Sequence, residues 1–244
     1  PLAYTRGLVR AAQAAGASIH GQSEVATLER VGTRWRAGTP GGASVNADQV
    51  LLATNGYTGA LWPGLSSTIL AANSFIVATE PLSGRAADEI LPGGETVSTS
   101  QRLLLYFRKD AHGRLLLGGR GHFADPSSPA DFAHLERSLE QLYPQLGPLS
   151  YQYRWAGRIA VTRDFMPHVH SPAPGLTIAL GYNGRGIAMA TSMGWHIAEC
   201  MRNANADFPF PVTPLQPIPL HRLQRFYVAG GVAWYSLLDR LGWG

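Results

Sequence analysis

Leu176-Thr177-Ile178-Ala179-Leu180-Gly181-Tyr182-Asn183-Gly184-Arg185-Gly186-Ile187 is the stretch on which the fold turns. Residues 176–180 form an apolar run bounded by Gly175 and Gly181, which predicts a buried strand. Gly181 to Gly186 then predicts a turn, and Ile187 to Met201 a helix. Strand, glycine-rich turn and helix in succession make one unit of an α/β sheet. The helix points its N-terminal N–H groups and positive dipole end back over the turn. Taken singly, such a turn serves a packing role as readily as a ligand-binding one.

A second strand exit lies upstream. Gln49 to Thr54 is a continuous run ending in Asn55-Gly56, the pattern of a buried parallel strand with a sharp turn at its carboxyl end. In open α/β sheets, ligands bind outside the carboxyl ends of strands. The small residues Ala53, Thr54 and Gly56 let backbone approach such a ligand closely, although a plain strand-ending turn has the same composition.

Around these exits, Leu8, Val9, Ala12 and Ala15 predict an N-terminal helix closed by Gly16, followed by a short strand at Ser18-Ile19-His20. Glu24 to Leu28, Arg34 to Ala37 and Ser44 to Ala47 predict a meander with turns at Gly32 and Thr39-Pro40-Gly41-Gly42. Beyond Trp62-Pro63-Gly64 the pattern turns antiparallel. Thr68 to Thr79 is a long strand, and Arg102 to Arg108 with Arg114 to Gly119 is a hairpin around Asp110-Ala111-His112-Gly113. Asp131 to Tyr143 is an amphipathic helix and Tyr151 to Val161 another strand. Phe208 to Leu220 holds five prolines and reads as an extended surface segment, and Arg222 to Leu241 as a terminal helix. The expected architecture is mixed α/β (α+β), with a Rossmann-like lobe (1–66 and 150–205), an inserted antiparallel-sheet lobe (67–149), and a Pro-rich segment with terminal helix (206–244).

Composition narrows the function classes. Hydrophobic residues make up 45% and charged residues 15% of the 244-residue chain, which excludes disorder. The net charge of +4 comes almost wholly from scattered arginines, with Lys109 the only lysine; no basic run points to nucleic acid. Cys200 is the sole cysteine, so neither an intrachain disulfide nor a cysteine metal site is available, in keeping with a cytoplasmic location. The longest apolar stretch, Phe226 to Leu238, is too short for a bilayer span of about 20 residues. His168 and His170 alternate as metal ligands do, but no carboxylate or thiolate stands at ligand spacing, so no metal is expected. Asp164 is expected to cap or to pair with an arginine. No G-x-S-x-G or ordered Ser-His-Asp set occurs.

Taken together and in order, these features resemble one family. The set comprises the Leu2–Ala15 helix with Gly16-Ala17-Ser18-Ile19, then Val25, Ala53-Thr54-Asn55-Gly56-Tyr57 and Thr79-Glu80-Pro81-Leu82. It continues through Tyr106-Phe107-Arg108, Gly118-Gly119-Arg120-Gly121, Trp155-Ala156-Gly157, Thr162-Arg163-Asp164-Phe165-Met166-Pro167 and Gly181 to Gly186. The succession resembles the D-amino-acid-oxidase-like superfamily of FAD oxidoreductases, its gamma-glutamylputrescine oxidoreductase members in particular. The resemblance implies a small-molecule amine or amino-acid substrate, with oxygen or another electron acceptor. It places the backbone near Val25 toward the adenosine end of FAD, and Ala53, Thr54, Asn55 and Gly56 along the pyrophosphate and ribityl path. It puts Gly157, Gly181, Asn183, Gly184, Arg185, Gly186 and Ile187 at the flavin, and Tyr106, Arg108 and Arg120 on the hairpin roofing the substrate cavity. It identifies no dedicated acid–base residue.

The family's G-x-G-x-x-G phosphate turn occurs nowhere in these residues; the part expected to carry it includes at least one βαβ unit of about 30 residues. Weak or absent FAD binding by the 244 residues alone is therefore expected. Relatives that oxidise α-amino acids resemble this chain around Trp155 to Pro167 but carry there an arginine that clamps the substrate carboxylate. Aligned on Gly157, Thr162, Asp164 and Pro167, that place falls on Ile159, with Arg158 one residue early and so on the opposite face of a strand. Covalent-flavin relatives have a cysteine in this segment and this chain has none, which implies non-covalent FAD. The resemblance thus points to amine oxidation. A D-amino-acid dehydrogenase, a sarcosine or glycine-type oxidase, or a structural or partner-binding fragment without activity remain the alternatives.

Overall fold

The computed structural model describes residues 1–241 apart from Arg102 and Ala204. Along the chain come α1 (Leu2–Ala14), β1 (Thr27–Val31), β2 (Arg34–Gly38), β3 (Ser44–Ala47) and β4 (Val50–Leu52). Then follow β5 (Leu70–Pro81), α2 (Arg85–Glu89), β6 (Thr96–Ser98), β7 (Tyr106–Lys109), β8 (Arg114–Arg120), α3 (Ala133–Leu142) and β9 (Tyr151–Val161). Last are β10 (His168–Ala173), β11 (Leu176–Leu180), α4 (Gly186–Arg202) and α5 (Gln224–Arg240). The chain divides into two units, residues 1–69 with 162–217, and residues 70–161 with 218–244.

In the first unit, β4 runs parallel to β11 and β10 antiparallel to it, in the order β10-β11-β4. β11 lies between them and is buried on both faces, which is why its sequence is apolar without alternation. One face packs on α4: Val169, Ala179, Tyr182, Met193 and Ile197 form a buried cluster, flanked by Leu51, Phe208 and Phe210. Phe208 and Phe210 thus anchor the Pro-rich segment. β1, β2 and β3 make a separate antiparallel meander from which Trp35 donates Nε1–H to the Pro174 carbonyl at 3.1 Å. Gly175 has φ +75°, and a Cβ there would stand 2.8 Å from the Asp48 carbonyl, so only glycine permits the tight turn into β11.

In the second unit, five antiparallel strands lie in the order β6-β7-β8-β5-β9. The face carrying Phe75, Val77, Phe107, Leu115 and Leu117 buries α3 through Phe132, Leu135 and Leu139. A Ser128–Asp131 capping box starts a 3-10 turn that leads into α3. The Arg154 guanidinium meets the Glu136 carboxylate at 2.6 Å, tying β9 to the same helix.

Several expectations are corrected. Ser18–His20 forms no strand, because no neighbouring strand supplies its ladder. The first meander strand is Thr27–Val31 rather than Glu24–Leu28, its register set by pairing with β2. The strand expected over 49–54 contracts to Val50–Leu52, ended by a 3-10 turn at Asn55–Tyr57. β9, which the sequence grouped with the Rossmann-like lobe, is hydrogen-bonded along β5, and residues 218–244 also fall in the second unit. The hairpin strand expected from Arg102 begins at Tyr106, and Arg102 itself lies outside the described residues. No residue of α1 is fully buried; of its apolar stripe, Val9 and Ala12 are half-buried and Leu8 is exposed.

Candidate functional site

The two strand exits read from the sequence stand side by side. β4 and β11 are adjacent and parallel, so Ala53-Thr54-Asn55-Gly56 and Gly181 to Gly186 leave the same edge of one sheet. Asn55, at φ +45°, turns its side chain so that Oδ1 accepts the Gly181 N–H at 3.0 Å. Asn183, at φ +50°, accepts the Thr162 N–H on Oδ1 at 2.9 Å and donates from Nδ2 to the Gly181 carbonyl at 2.5 Å. Both polar groups of the Gly181 peptide unit region are therefore held by asparagines in left-handed conformation, which Asn tolerates better than most residues. Gly181 itself is at φ +81°, and a Cβ there would meet Thr162 Cγ2 at 2.3 Å. Thr162 Oγ1 donates to the Met166 carbonyl at 2.9 Å, fixing the loop before β10.

α4 begins at Gly186 with no side-chain cap and no acidic residue in its first turn. Its leading N–H groups and dipole end are therefore available to an acceptor. Gly184, at φ +83°, has open space where a Cβ would sit, and Ile187 is 52% exposed beside it. Arg185 is drawn aside, donating from Nη2 to the Phe165 carbonyl at 3.0 Å. Val25 precedes β1 and is exposed. Asp164 pairs with His168 (3.1 Å) and accepts the Met166 N–H; no arginine pairs with it among the described residues. His170 is 1% exposed, with Nδ1 2.7 Å from the Thr213 carbonyl, and burial above all pulls its pKa below the ordinary histidine value.

In the second unit, cross-strand register assigns the faces. Tyr106 lies opposite Gly118, Arg108 opposite Leu116, and Arg120 opposite Ser74, all on the face away from α3. The Tyr106 ring covers Gly118, where a Cβ would come within 2.2 Å of it, and its hydroxyl meets Ser74 Oγ at 2.5 Å. Gly157 is opposite Ser74 on β9, between Trp155 and Ile159 on the same face. Arg158 points the other way and forms a two-pronged pair with Asp125, at 3.1 and 2.5 Å. Sequence alone did not disclose the Asn55 and Asn183 latches or the Ser74–Tyr106 bond. The only local signal was an asparagine followed by glycine at each strand exit.

A family model described as FAD dependent oxidoreductase matches residues 1–200. The chain belongs to this family. It is 33% identical over 245 residues to "Probable oxidoreductase OrdL" of Rhizobium meliloti (strain 1021), covering 98% of this chain and 56% of that protein. To gamma-glutamylputrescine oxidoreductase of Escherichia coli (strain K12) it is 33% identical over 202 residues, 81% of this chain and 47% of that one. Glycine oxidase from Geobacillus kaustophilus shares the fold, with a TM-score of 0.69 at 21% identity over 87% of this chain and 56% of that one. The chain thus spans about half the length of the curated relatives it matches. The family's cofactor is FAD, and residues of the first unit fit such a group: the uncapped α4 terminus would offer it N–H donors, and Gly184 leaves open space beside that terminus. No G-x-G-x-x-G turn for the phosphates occurs among these residues. No described helix is long and apolar enough to cross a membrane.

Proposed function

We propose that this chain is the part of an amine-oxidising flavoenzyme that cradles the flavin ring and binds the substrate, with a gamma-glutamylputrescine-like amine as the substrate. The observation that carries the amine over an α-amino acid is Arg158, which is committed to Asp125 on the α3 side of the sheet, while Ile159 takes the opposite face. No guanidinium on β9 is then left to clamp an α-carboxylate. The 33% identity to gamma-glutamylputrescine oxidoreductase supports the same choice.

FAD, when bound, supplies the acceptor for hydride from the carbon bearing a neutral amine. The chain's own share is positional. The Asn55–Gly181–Asn183 latch sets the turn, and the α4 terminus favours negative charge at its N–H groups. No side chain needs to take the amine proton if the amine enters unprotonated; the imine produced hydrolyses to an aldehyde, and oxygen or another acceptor takes the electrons. The residues 155–167 hold no cysteine, which supports non-covalent FAD, and flavin remaining with the acid-precipitated full-length protein overturns that point. The single Cys200 supports a cytoplasmic setting.

Anaerobic mixing of the full-length protein with gamma-glutamylputrescine tests the activity: bleaching of the flavin absorbance is expected, and faster than with glycine, sarcosine or D-alanine. Faster bleaching by the α-amino acids makes it an amino-acid oxidase or dehydrogenase instead.

A further inference from the structure

We infer that Arg120 is a receptor for a carboxylate carried by the amine substrate at a distance from the oxidised carbon. The inference rests on the amine-oxidation reading and names the chemical class of its substrate. Tyr106, Arg108 and Arg120 share one face of the five-stranded sheet. The paired positions on that face, among them Thr96, Ser98, Ala72, Ser74, Ile76, Ala78, Leu116, Trp155 and Ile159, include no acidic residue. No carboxylate among the described residues pairs with Arg108 or Arg120, whereas Arg114, Arg154 and Arg158 of the same sheet are each matched to one. Arg120 is partly buried, and burial lowers its proton affinity without a compensating anion. A guanidinium desolvated without a partner is costly, and an anionic ligand removes that cost.

Its platform is rigid. The Arg120 backbone is laddered to Ser74, the next residue donates its N–H to the Asn73 carbonyl at 2.9 Å, and His134 Nε2 lies 2.9 Å from the Arg120 carbonyl. A Cβ at Gly121 would strike the Phe75 ring at 2.0 Å, so this segment cannot shift toward the core. Beside it, the Tyr106 ring lies over Gly118, and Trp155 stands on the same face of β9. A planar fork on a fixed strand suits bidentate carboxylate recognition. β8 lies two strands from β9, about 10 Å across the sheet. A carboxylate at Arg120 is therefore several bonds away from one held at the β9 position of Ile159.

The test uses the full-length flavoprotein with 5-aminopentanoate and pentylamine, which differ only in a carboxylate replacing a methyl group, and with pentanoate as an anion that carries no amine. The wild type is expected to show the lower KM for 5-aminopentanoate. Arg120→Met is expected to raise that KM about ten- to hundredfold with kcat nearly unchanged, to leave the KM for pentylamine alone, and to abolish pentanoate binding by calorimetry. An equal effect on both amines, or none, overturns the assignment. If neither amine reduces the flavin, the amine-oxidation reading fails by itself. Calorimetry then decides the subsite: pentanoate binding lost in Arg120→Met upholds it, and binding retained or absent from the wild type overturns it. Should Arg120→Met not fold, Arg120→Lys takes its place; loss of the planar fork is expected to raise KM about tenfold for the carboxylated amine only, and an unchanged ratio of the two KM values overturns the proposal.

Discussion

Asn55 contributes a single side-chain oxygen, yet that oxygen holds the buried Gly181 N–H at 3.0 Å and thereby one strand exit against the other. Asn55→Ala leaves this donor unsatisfied, and a loss of about 1–3 kcal/mol is expected in denaturant unfolding. Asn55→Asp keeps an acceptor at the same place and is expected to lose less. Gly181→Ala combines φ +81° with a 2.3 Å approach to Thr162, so it should destabilise by more than 1 kcal/mol and weaken FAD binding in the full-length protein. His170 supplies a pH dependence. Burial holds its native pKa below 6.5, with the neighbouring His168 acting in the same direction, and the bond to the Thr213 carbonyl opposing it. As pH falls through about 6.5, the unfolded chain takes up the proton first, so stability drops by up to about 1.4 kcal/mol per pH unit. Urea titrations from pH 8 to pH 5 should show this slope, and His170→Gln should flatten it.

At the scale of elements, α3 is held mainly by Leu135 and Leu139, each fully buried against Phe75, Leu115 and Leu117. Leu135→Ala or Leu139→Ala should each cost about 2–5 kcal/mol, read as a shift in the urea midpoint. The amphipathic stripe that marks this helix was plain in the sequence, because one apolar face of a helix repeats every three to four residues. β11 was equally legible from its apolar run bounded by glycines, and β9 matches the bounds expected for it. β4 and β1 were not. Where a strand stops depends on how far its partner's ladder extends, and β11 pairs with β4 only through Val50, Leu51 and Leu52. Residues 18–20 show the converse: strand propensity without a partner yields no strand.

For the whole molecule, the expectation concerns FAD. The 244 residues carry the ring-side turn but no G-x-G-x-x-G, so fluorescence titration of this chain should give weak or undetectable binding, while the full-length protein binds tightly. Tight binding by the 244 residues alone overturns this assignment of the phosphate site. The sequence by itself carried the resemblance to the family, most of the strands and helices, and the two glycine-flanked strand exits, because burial periodicity and turn chemistry are local properties. Only the tertiary structure decided which side chains share a face. Arg158 turned to Asp125 while Ile159 and Arg120 turned the other way, and those orientations follow from strand register, which long-range hydrogen bonding fixes.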